Sequence, residues 1–362
     1  MKKNWIRLLK VILLAIGSVA VFVLATKRAD GPNTIKDQAL TGGTNYDFAM
    51  GTSVSATVYG GDPSAGRRAI DCIKRADTEL LSWREQGSEL ARLNADYKEK
   101  KPYPVSAELY DAVSLALSVC EASEGALDIT IRPLADAWGV EDATQENFRV
   151  PTEDEIQEAQ WYVRYESVHA DHDIASDGRD TVTLDREGMI LDLGACGKGY
   201  ALDLAYREIG KSVTGGTVTC GGSVLIFGEK TDGSDFHVGI RDPKGGQDDM
   251  LGTLTFGSAL LKDAPLYIST SGDYEKYIEK DGVRYHHILD RRTGAPAENG
   301  LSSVTVVSKN GLVSDALSTA CFVLGYEKSL PLLKTYDSEA VFIDHDNQVT
   351  VTEGLKENYS SN

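Results

Sequence analysis

Asp315 and Thr319 stand four residues apart in Ser314-Asp315-Ala316-Leu317-Ser318-Thr319-Ala320, a spacing that puts both on one face of a helix. A carboxylate beside a hydroxyl is a hard oxygen donor pair. It suits Mg²⁺, which takes oxygen ligands at ~2.1 Å and often completes its shell with phosphate and water. The same spacing also suits an Asp capping backbone near a helix start and a Thr bonded to the carbonyl at i−4, and spacing alone leaves both readings open.

Three other segments carry chemistry-bearing residues. Asp192-Leu193-Gly194-Ala195-Cys196-Gly197-Lys198-Gly199-Tyr200 reads as a strand end running through three glycines into a helix, a turn that can offer backbone N–H groups and one cation to a phosphate. It lacks the GxxxxGK[ST] spacing of a Walker A loop, and a glycine-rich turn is often only a turn. Tyr285-His286-His287-Ile288-Leu289-Asp290-Arg291-Arg292-Thr293-Gly294 offers a proton carrier near neutral pH, and on an alternating strand only one of the two histidines can enter a given site. Ile268-Ser269-Thr270-Ser271-Gly272-Asp273-Tyr274 brings hydroxyls and a glycine fit for phosphate or for an ordinary turn.

Weaker signals accompany these. Thr219-Cys220-Gly221-Gly222-Ser223 reads as a bulge or close backbone approach inside a strand. Trp83, ahead of Ser88, Glu89 and Asn94, and Trp138, after Asp128-Ile129-Thr130, could stack on a flat ring or simply fill the core. His169 and His172 lie in an Asp-rich stretch without a third ligand and read as solvated.

Positioning these residues requires a mixed framework. Ser53 to Tyr59 alternates as a strand, and Asp62-Pro63 opens a helix whose apolar stripe runs through Ile70, Ile73, Leu80 and Leu81. A helix follows Ser106, with Leu109, Val113, Ala116, Leu117 and Cys120 on one face and Gly125 beyond its end. Thr152 and Glu155 form a capping box for a third, short helix. From Thr181 onward strands are expected at 181–184, 189–193, 217–227, 236–240, 254–261, 283–288 and 301–307, with helices near 199–209 and 312–324. Strands and helices mix without βαβ alternation, which favours an α+β fold with largely antiparallel sheets over a doubly wound one. The length of 362 residues suggests about two closely associated lobes.

Charge excludes one class of partner. Residues 1–28 hold six basic groups and no acid; removing those six from 37 leaves 31 Lys and Arg against 55 Asp and Glu over the rest. So acidic a body repels phosphate backbones, and no basic stripe for nucleic acid is present. An anionic ligand must be held by metal, backbone N–H groups or a few local cations. The apolar run Val11–Ala25 behind basic residues reads as an export signal or a membrane anchor that leaves the body on the extracytoplasmic side, secreted if the signal is cleaved. Residues 29–47 read as a linker, 48–355 as the functional domain and 356–362 as a tail. Five scattered cysteines, Cys72, Cys120, Cys196, Cys220 and Cys321, form no CxxC pair and read mostly as buried small hydrophobes.

In order along the chain, Met50-Gly51-Thr52, LSWREQGSELARLN (81–94), ALDITIRPLADAWG (126–139), DLGACGKGYALD (192–203), STSGDY (269–274), HILDRRTG (287–294) and SDALSTA (314–320) resemble the ApbE family of FAD:protein FMN transferases over the whole body. The resemblance implies FAD in a cleft, Mg²⁺ on its pyrophosphate, and transfer of FMN to a Ser or Thr hydroxyl of an acceptor flavoprotein with release of AMP. By position it makes Asp315 and Thr319 metal ligands, with a carbonyl of the Ala195–Lys198 turn, Ala195, as a third, and His287 the general base. It puts Met50, Trp83, Ser88, Glu89, Asp128, Thr130, Lys198, Ser271, Gly272 and His287 in FAD-binding segments. Arg291 stands where many members have Pro, Thr219 and Ser223 where many have Asn and Asp, and Trp83 where many have Tyr. Acceptors in the family carry a DxxTGAT-like stretch and point to membrane redox complexes. Asp290 to Pro296 comes nearest here, but Pro296 has no hydroxyl, and self-modification is not expected. Hydrolysis of FAD to FMN and AMP is the rival activity, and flavin storage without turnover the rival from another class.

Overall fold

The computed structural model describes residues 43–172, 178–246, 248–262 and 264–362. Its frame is an eight-stranded antiparallel sheet whose strand order is also the chain order: β1 (Asn45–Ala49), β2 (Thr52–Tyr59), β3 (Gly215–Cys220), β4 (Ser223–Gly228), β5 (Leu266–Gly272), β6 (Leu301–Ser308), β7 (Glu339–Asp344) and β8 (Val349–Val351). Between β2 and β3 the chain leaves the sheet and builds most of the helical layer: α1 (Ala65–Arg75), α2 (Glu89–Asp96), α3 (Ala107–Ala122), α4 (Arg132–Trp138), α5 (Glu153–Gln160) and α6 (Gly197–Ile209). After β6 follow α7 (Gly311–Leu324) and α8 (Tyr326–Thr335).

Burial explains the sequence texture. β2 alternates buried and more open positions, as a strand covered chiefly on one face does. Every residue of β6 is buried, because helices cover one face of the sheet and a small sheet of 236–241, 250–256 and 359–361 covers the other. α7 is apolar nearly all round and sits at the centre of the larger core, an arrangement its narrow polar stripe of Ser314, Asp315, Ser318 and Thr319 interrupts. Asn310 caps its start, and Asn299 Nδ2 donates to the carbonyls of Phe322 and Val323 at its end, before Gly325 at φ +78°.

Several expected elements differ in detail. The 217–227 segment is a hairpin: Gly221 at φ +56° and Gly222 turn β3 back into β4, where a bulge inside one strand was expected. Residues 189–193 form no strand; Asn94 closes this stretch by bonding both the N–H and the C=O of Leu191. The 254–261 run splits into a strand, 250–256, and a one-turn helix, Ser258–Leu261, and the 283–288 strand stops at His286. Strand pairing begins at Asn45, within the expected linker, and the expected tail ends in a strand, Tyr359–Ser361, on the small sheet. The helix after Pro63 widens into a π-helical stretch at Ala76–Leu81. The apolar run at 11–25 lies outside the described residues, and among those described no helix is long and apolar enough to cross a membrane. All five cysteines are free and buried.

Candidate active site

Two glycines make the site possible. Helices α6 and α7 cross where Gly199 and Gly311 meet backbone to backbone, and a Cβ at either would collide with the other's carbonyl. At this separation the Gly199 N–H reaches Asp315 Oδ2 at 3.0 Å. That amide is the third of α6, one of the first-turn N–H groups without an intrahelical acceptor, and Asp315 caps it; the first turn closes from the Tyr200 N–H to the Cys196 carbonyl, so the Ala195 carbonyl lies ahead of the helical ladder. Ser223 Oγ donates to Asp315 Oδ1 at 3.1 Å, and Lys198 Nζ lies 3.6 Å from Oδ2. Burial opposes the charge of Lys198, but Asp315 outweighs it and raises the lysine pKa. Each carboxylate oxygen keeps a lone pair to spare. The capping reading of Asp315 falls here, since Asn310 is the cap and no N–H of α7 reaches the carboxylate.

Thr319 is oriented by a chain of hydroxyls. Ser318 Oγ donates its one proton to the Asp315 carbonyl at 2.7 Å. Its 2.7 Å contact with Ser271 Oγ must then be donated by Ser271, and the 3.0 Å contact between Ser271 and Thr319 by Thr319. With its proton turned toward Ser271, Thr319 presents oxygen lone pairs elsewhere. Asp315, Thr319 and Ala195, whose carbonyl is the oxygen it can offer, all line one cleft of about 710 Å³. As an all-oxygen set they fit a hard divalent cation and suit zinc or copper poorly. Among the described residues no group of three or more His, Cys, Asp or Glu could hold a metal, so a cation here would depend on neutral oxygens and on ligand phosphate.

The two adjacent histidines separate cleanly. His286 is buried with both nitrogens used: Nε2 donates to the Ala297 carbonyl at 3.0 Å and Nδ1 accepts from the Ile288 N–H at 3.3 Å. His287 lines the cleft, its Nδ1 donating to the Lys276 carbonyl at 3.2 Å. A carbonyl can only accept, so Nδ1 carries the proton and Nε2 keeps a free lone pair. Withdrawal from water, with help from Lys276, pushes the His287 pKa down to about 4. The ring is thereby neutral at pH 7 and fit to accept a proton.

Charge pairs line the rest of the cleft. Glu141 accepts from Arg84 at 2.8 Å, Arg132 at 2.9 Å and Lys276 at 3.1 Å; burial opposes its ionisation, but these cations outweigh it and hold the carboxyl at about 2. Arg132 also pairs with Asp136 and lies 3.8 Å from the centroid of Trp83, which Arg84 approaches at 4.6 Å. Met50 and Gly51, at φ +52° and +70°, make the two-residue turn between β1 and β2. The strained Met50 is fixed by its N–H donating to Asp77 Oδ2 at 2.6 Å.

Of the expected residues, Met50, Trp83, Asp128, Ala195, Lys198, Ser271, Gly272, His287, Asp315 and Thr319 share the cleft. Ser88, Glu89 and Thr130 do not line it. Ser88 is fully buried at the start of α2, Glu89 spends both carboxylate oxygens on the N–H and hydroxyl of Ser106, and Thr130 bonds Asp128 and the Arg164 N–H. Asp128 lines the cleft but is full: Thr130 N–H and Oγ bond one oxygen, and the Tyr165 N–H and Arg291 the other. Asp77, Arg132, Glu141 and Lys276 escaped the sequence reading, because partners up to 135 residues apart leave no local pattern. Only the left-handed pair Met50-Gly51 offered a signal, as a turn.

The sequence profile of the ApbE family matches residues 50–342. A Treponema pallidum (strain Nichols) protein named FAD:protein FMN transferase is 32% identical over 324 residues, covering 85% of this chain and 86% of that protein. The crystal structure of the ApbE protein from Thermotoga maritima is similar with a TM-score of 0.74 at 31% identity, covering 87% of this chain and 98% of that one. The apo Pseudomonas stutzeri flavinyl transferase ApbE gives 0.72 at 27%, over 88% and 97%. The matched span runs from the Met50 turn to the seventh strand of the sheet and takes in both helices that cross at the glycine pair, His287 and the whole polar stripe of α7: the chain belongs to the ApbE family.

Proposed function

We propose that this chain transfers FMN from FAD to a Ser or Thr hydroxyl of an acceptor flavoprotein, releasing AMP. The observation that carries the reading is one cleft holding both an oxygen-donor set at Asp315, Thr319 and Ala195 and a neutral imidazole with a free Nε2 at His287. Relatives named FAD:protein FMN transferase support the donor and the product. Asp315, Thr319 and the Ala195 carbonyl would hold Mg²⁺, which when bound neutralises pyrophosphate charge and eases departure of AMP.

The chain's own groups supply the rest. The glycine turn at the start of α6 and Lys198 receive the diphosphate, as a helix N-terminus and one cation do. His287 Nε2 takes the acceptor hydroxyl's proton as that oxygen bonds the flavin-side phosphorus, and the bond from that phosphorus to the oxygen bridging it to AMP breaks. Buried Cys196 and Cys220 stay as thiols, since burial pushes the first well above its ordinary pKa and the second up to about 12. The acceptor carries a DxxTGAT-like stretch and belongs to a membrane redox complex, met on the extracytoplasmic face where the segment 11–25 tethers or exports the body.

Incubation with FAD, Mg²⁺ and such an acceptor, followed by flavin fluorescence of the denatured protein, tests the reading. Covalent flavin on the acceptor is the expected result. Free FMN without it would make the chain a hydrolase, and unchanged FAD a flavin-binding protein.

A further inference from the structure

Among the described residues, Arg291 is the cleft cation held by two acids on a bare backbone platform. Its Nη1 donates to Asp128 Oδ2 at 3.0 Å and Glu166 Oε2 at 2.9 Å, and its Nη2 to Glu166 Oε1 at 2.8 Å. The guanidinium lies across Gly125, where a Cβ would run into Nε, Cζ and Nη2. Tyr165 lies beneath it, 4.7 Å from ring centroid to Cζ. Burial works against its charge, but the two acids outweigh it and raise its pKa, keeping it charged throughout the range in which the protein folds. These contacts use Nη1 and one N–H of Nη2. Among the described residues no acceptor takes Nε–H, the atom is not closed off from solvent, and Arg291 lines the cleft.

A guanidinium clamped in one orientation, with N–H groups uncommitted and its side chain on the wall of a ligand cleft, is a preorganised donor. We infer that Arg291 is a specificity-determining residue: its free edge recognises the hydrogen-bond-accepting edge of a flat heterocycle of the bound dinucleotide. The inference rests on FAD being the substrate. Isoalloxazine carbonyls and adenine ring nitrogens share that acceptor chemistry, and the two halves of the substrate tell them apart. Gly125 is part of the device, since only a residue without a side chain lets the guanidinium lie flat there. Glu166, half-exposed, is the adjustable side of the clamp, and Asp128 the fixed one.

Binding of FAD, FMN and ADP to the full chain, measured by calorimetry, tests this without turnover. Arg291→Gln should weaken FAD about tenfold and one half-ligand by a similar factor, leaving the other half within about twofold. Loss with FMN assigns the edge to isoalloxazine, and loss with ADP to adenine. Gly125→Ala, which displaces the guanidinium but keeps its charge, should weaken the same half-ligand. Equal weakening of both halves, or of neither, overturns the inference, as does a Gly125→Ala variant that binds like wild type. If the unaltered chain binds neither FAD nor either half, the reading of the substrate itself fails. Thermal melts that match wild type show that the variants being compared are folded.

Discussion

The cleft has two acidic corners that use one residue type for opposite ends. Asp128 receives four donors, from the Thr130 N–H and hydroxyl, the Tyr165 N–H and Arg291, and has nothing left for a ligand. Asp315 receives two, from Gly199 and Ser223, with Lys198 farther off, and keeps a lone pair on each oxygen. Neither burial nor position in the cleft separates them: both side chains are almost fully buried and both touch the cavity. The difference is saturation. A complete shell builds architecture and an incomplete one leaves chemistry to be done. His286 and His287 repeat the contrast one residue apart, the first with both nitrogens engaged and the second with one free.

Removing Asp128 should break the comparison most visibly. Burial raises its pKa, and the bonds from Thr130 and Arg291 only partly offset that, so the charge persists because its partners are in place. Asp128→Ala would leave Arg291 with Glu166 alone and strand the Thr130 and Tyr165 N–H groups, at about 1–3 kcal/mol for each buried donor left unpaired and about 3–5 kcal/mol in all. Urea denaturation should show that loss. If the variant unfolds within about 1 kcal/mol of wild type, Asp128 is not architectural.

Asp315→Asn should do the reverse. Stability should fall by only about 1–2 kcal/mol, because an amide can still accept from Ser223 or Gly199. Flavin transfer should fall about 10²–10³-fold, the range for loss of one preorganised charge-stabilising group. A variant that transfers flavin within tenfold of wild type would sink the role given to Asp315.

The histidine pair sharpens the same point through pH. His287 must be neutral to accept a proton; with its pKa near 4, transfer should hold level from pH 8 to about 5.5 and decline as pH falls through about 4. His287→Gln should lower transfer by about 10²-fold and flatten that acid limb. His286 bears on stability without touching transfer, and His287, with its equally lowered pKa, adds its own share to the same pH slope. Burial brings the folded pKa of His286 to about 4, below the ordinary 6.5, so the unfolded chain takes up the proton first. The neutral folded form loses stability as pH falls from 6.5 to about 4, by roughly 3 kcal/mol at most, and loses nothing above 6.5. His286→Gln should reduce the slope of melting temperature between pH 6.5 and 5 while leaving the rate profile in place.

What was legible in the sequence follows the same division. Asp315, Thr319, His287 and Lys198 stood out as candidates by residue type and spacing, but spacing alone left their roles open, and the ordered resemblance to the ApbE family made the choice. The antiparallel α+β frame could be read from period-2 strands and capped helices, Thr152 with Glu155 among them. The full shell of Asp128 could not, because Arg291 is 163 residues away and nothing in either segment records the other. For the same reason Ser88 and Glu89 looked like ligand contacts, although Glu89 spends itself on Ser106, 17 residues on. The 217–227 stretch read as one strand because both arms of the hairpin are β-branched and apolar runs, buried on each face, and only Gly221-Gly222 separates them.

The smallest effect tests the contrast at a single proton. In the hydroxyl chain, Ser318 gives its proton to the Asp315 carbonyl, Ser271 to Ser318 and Thr319 to Ser271, which leaves the Thr319 oxygen as a pure acceptor toward the cleft. Ser271→Ala removes the middle link without altering charge or backbone. Thr319 Oγ–H is then free to rotate, and orientations that point the proton at a cation compete with those that present the lone pair. The cost is about one neutral hydrogen bond, 0.5–1.5 kcal/mol, or roughly 3–10-fold. It should appear as a higher Mg²⁺ concentration for half-maximal transfer, with the rate at saturating Mg²⁺ within about twofold, because once the ion is bound the hydroxyl is oriented again. Were the saturating rate to fall instead and the Mg²⁺ dependence to stay fixed, Ser271 would be contacting the substrate directly and the hydroxyl chain would not be what orients Thr319.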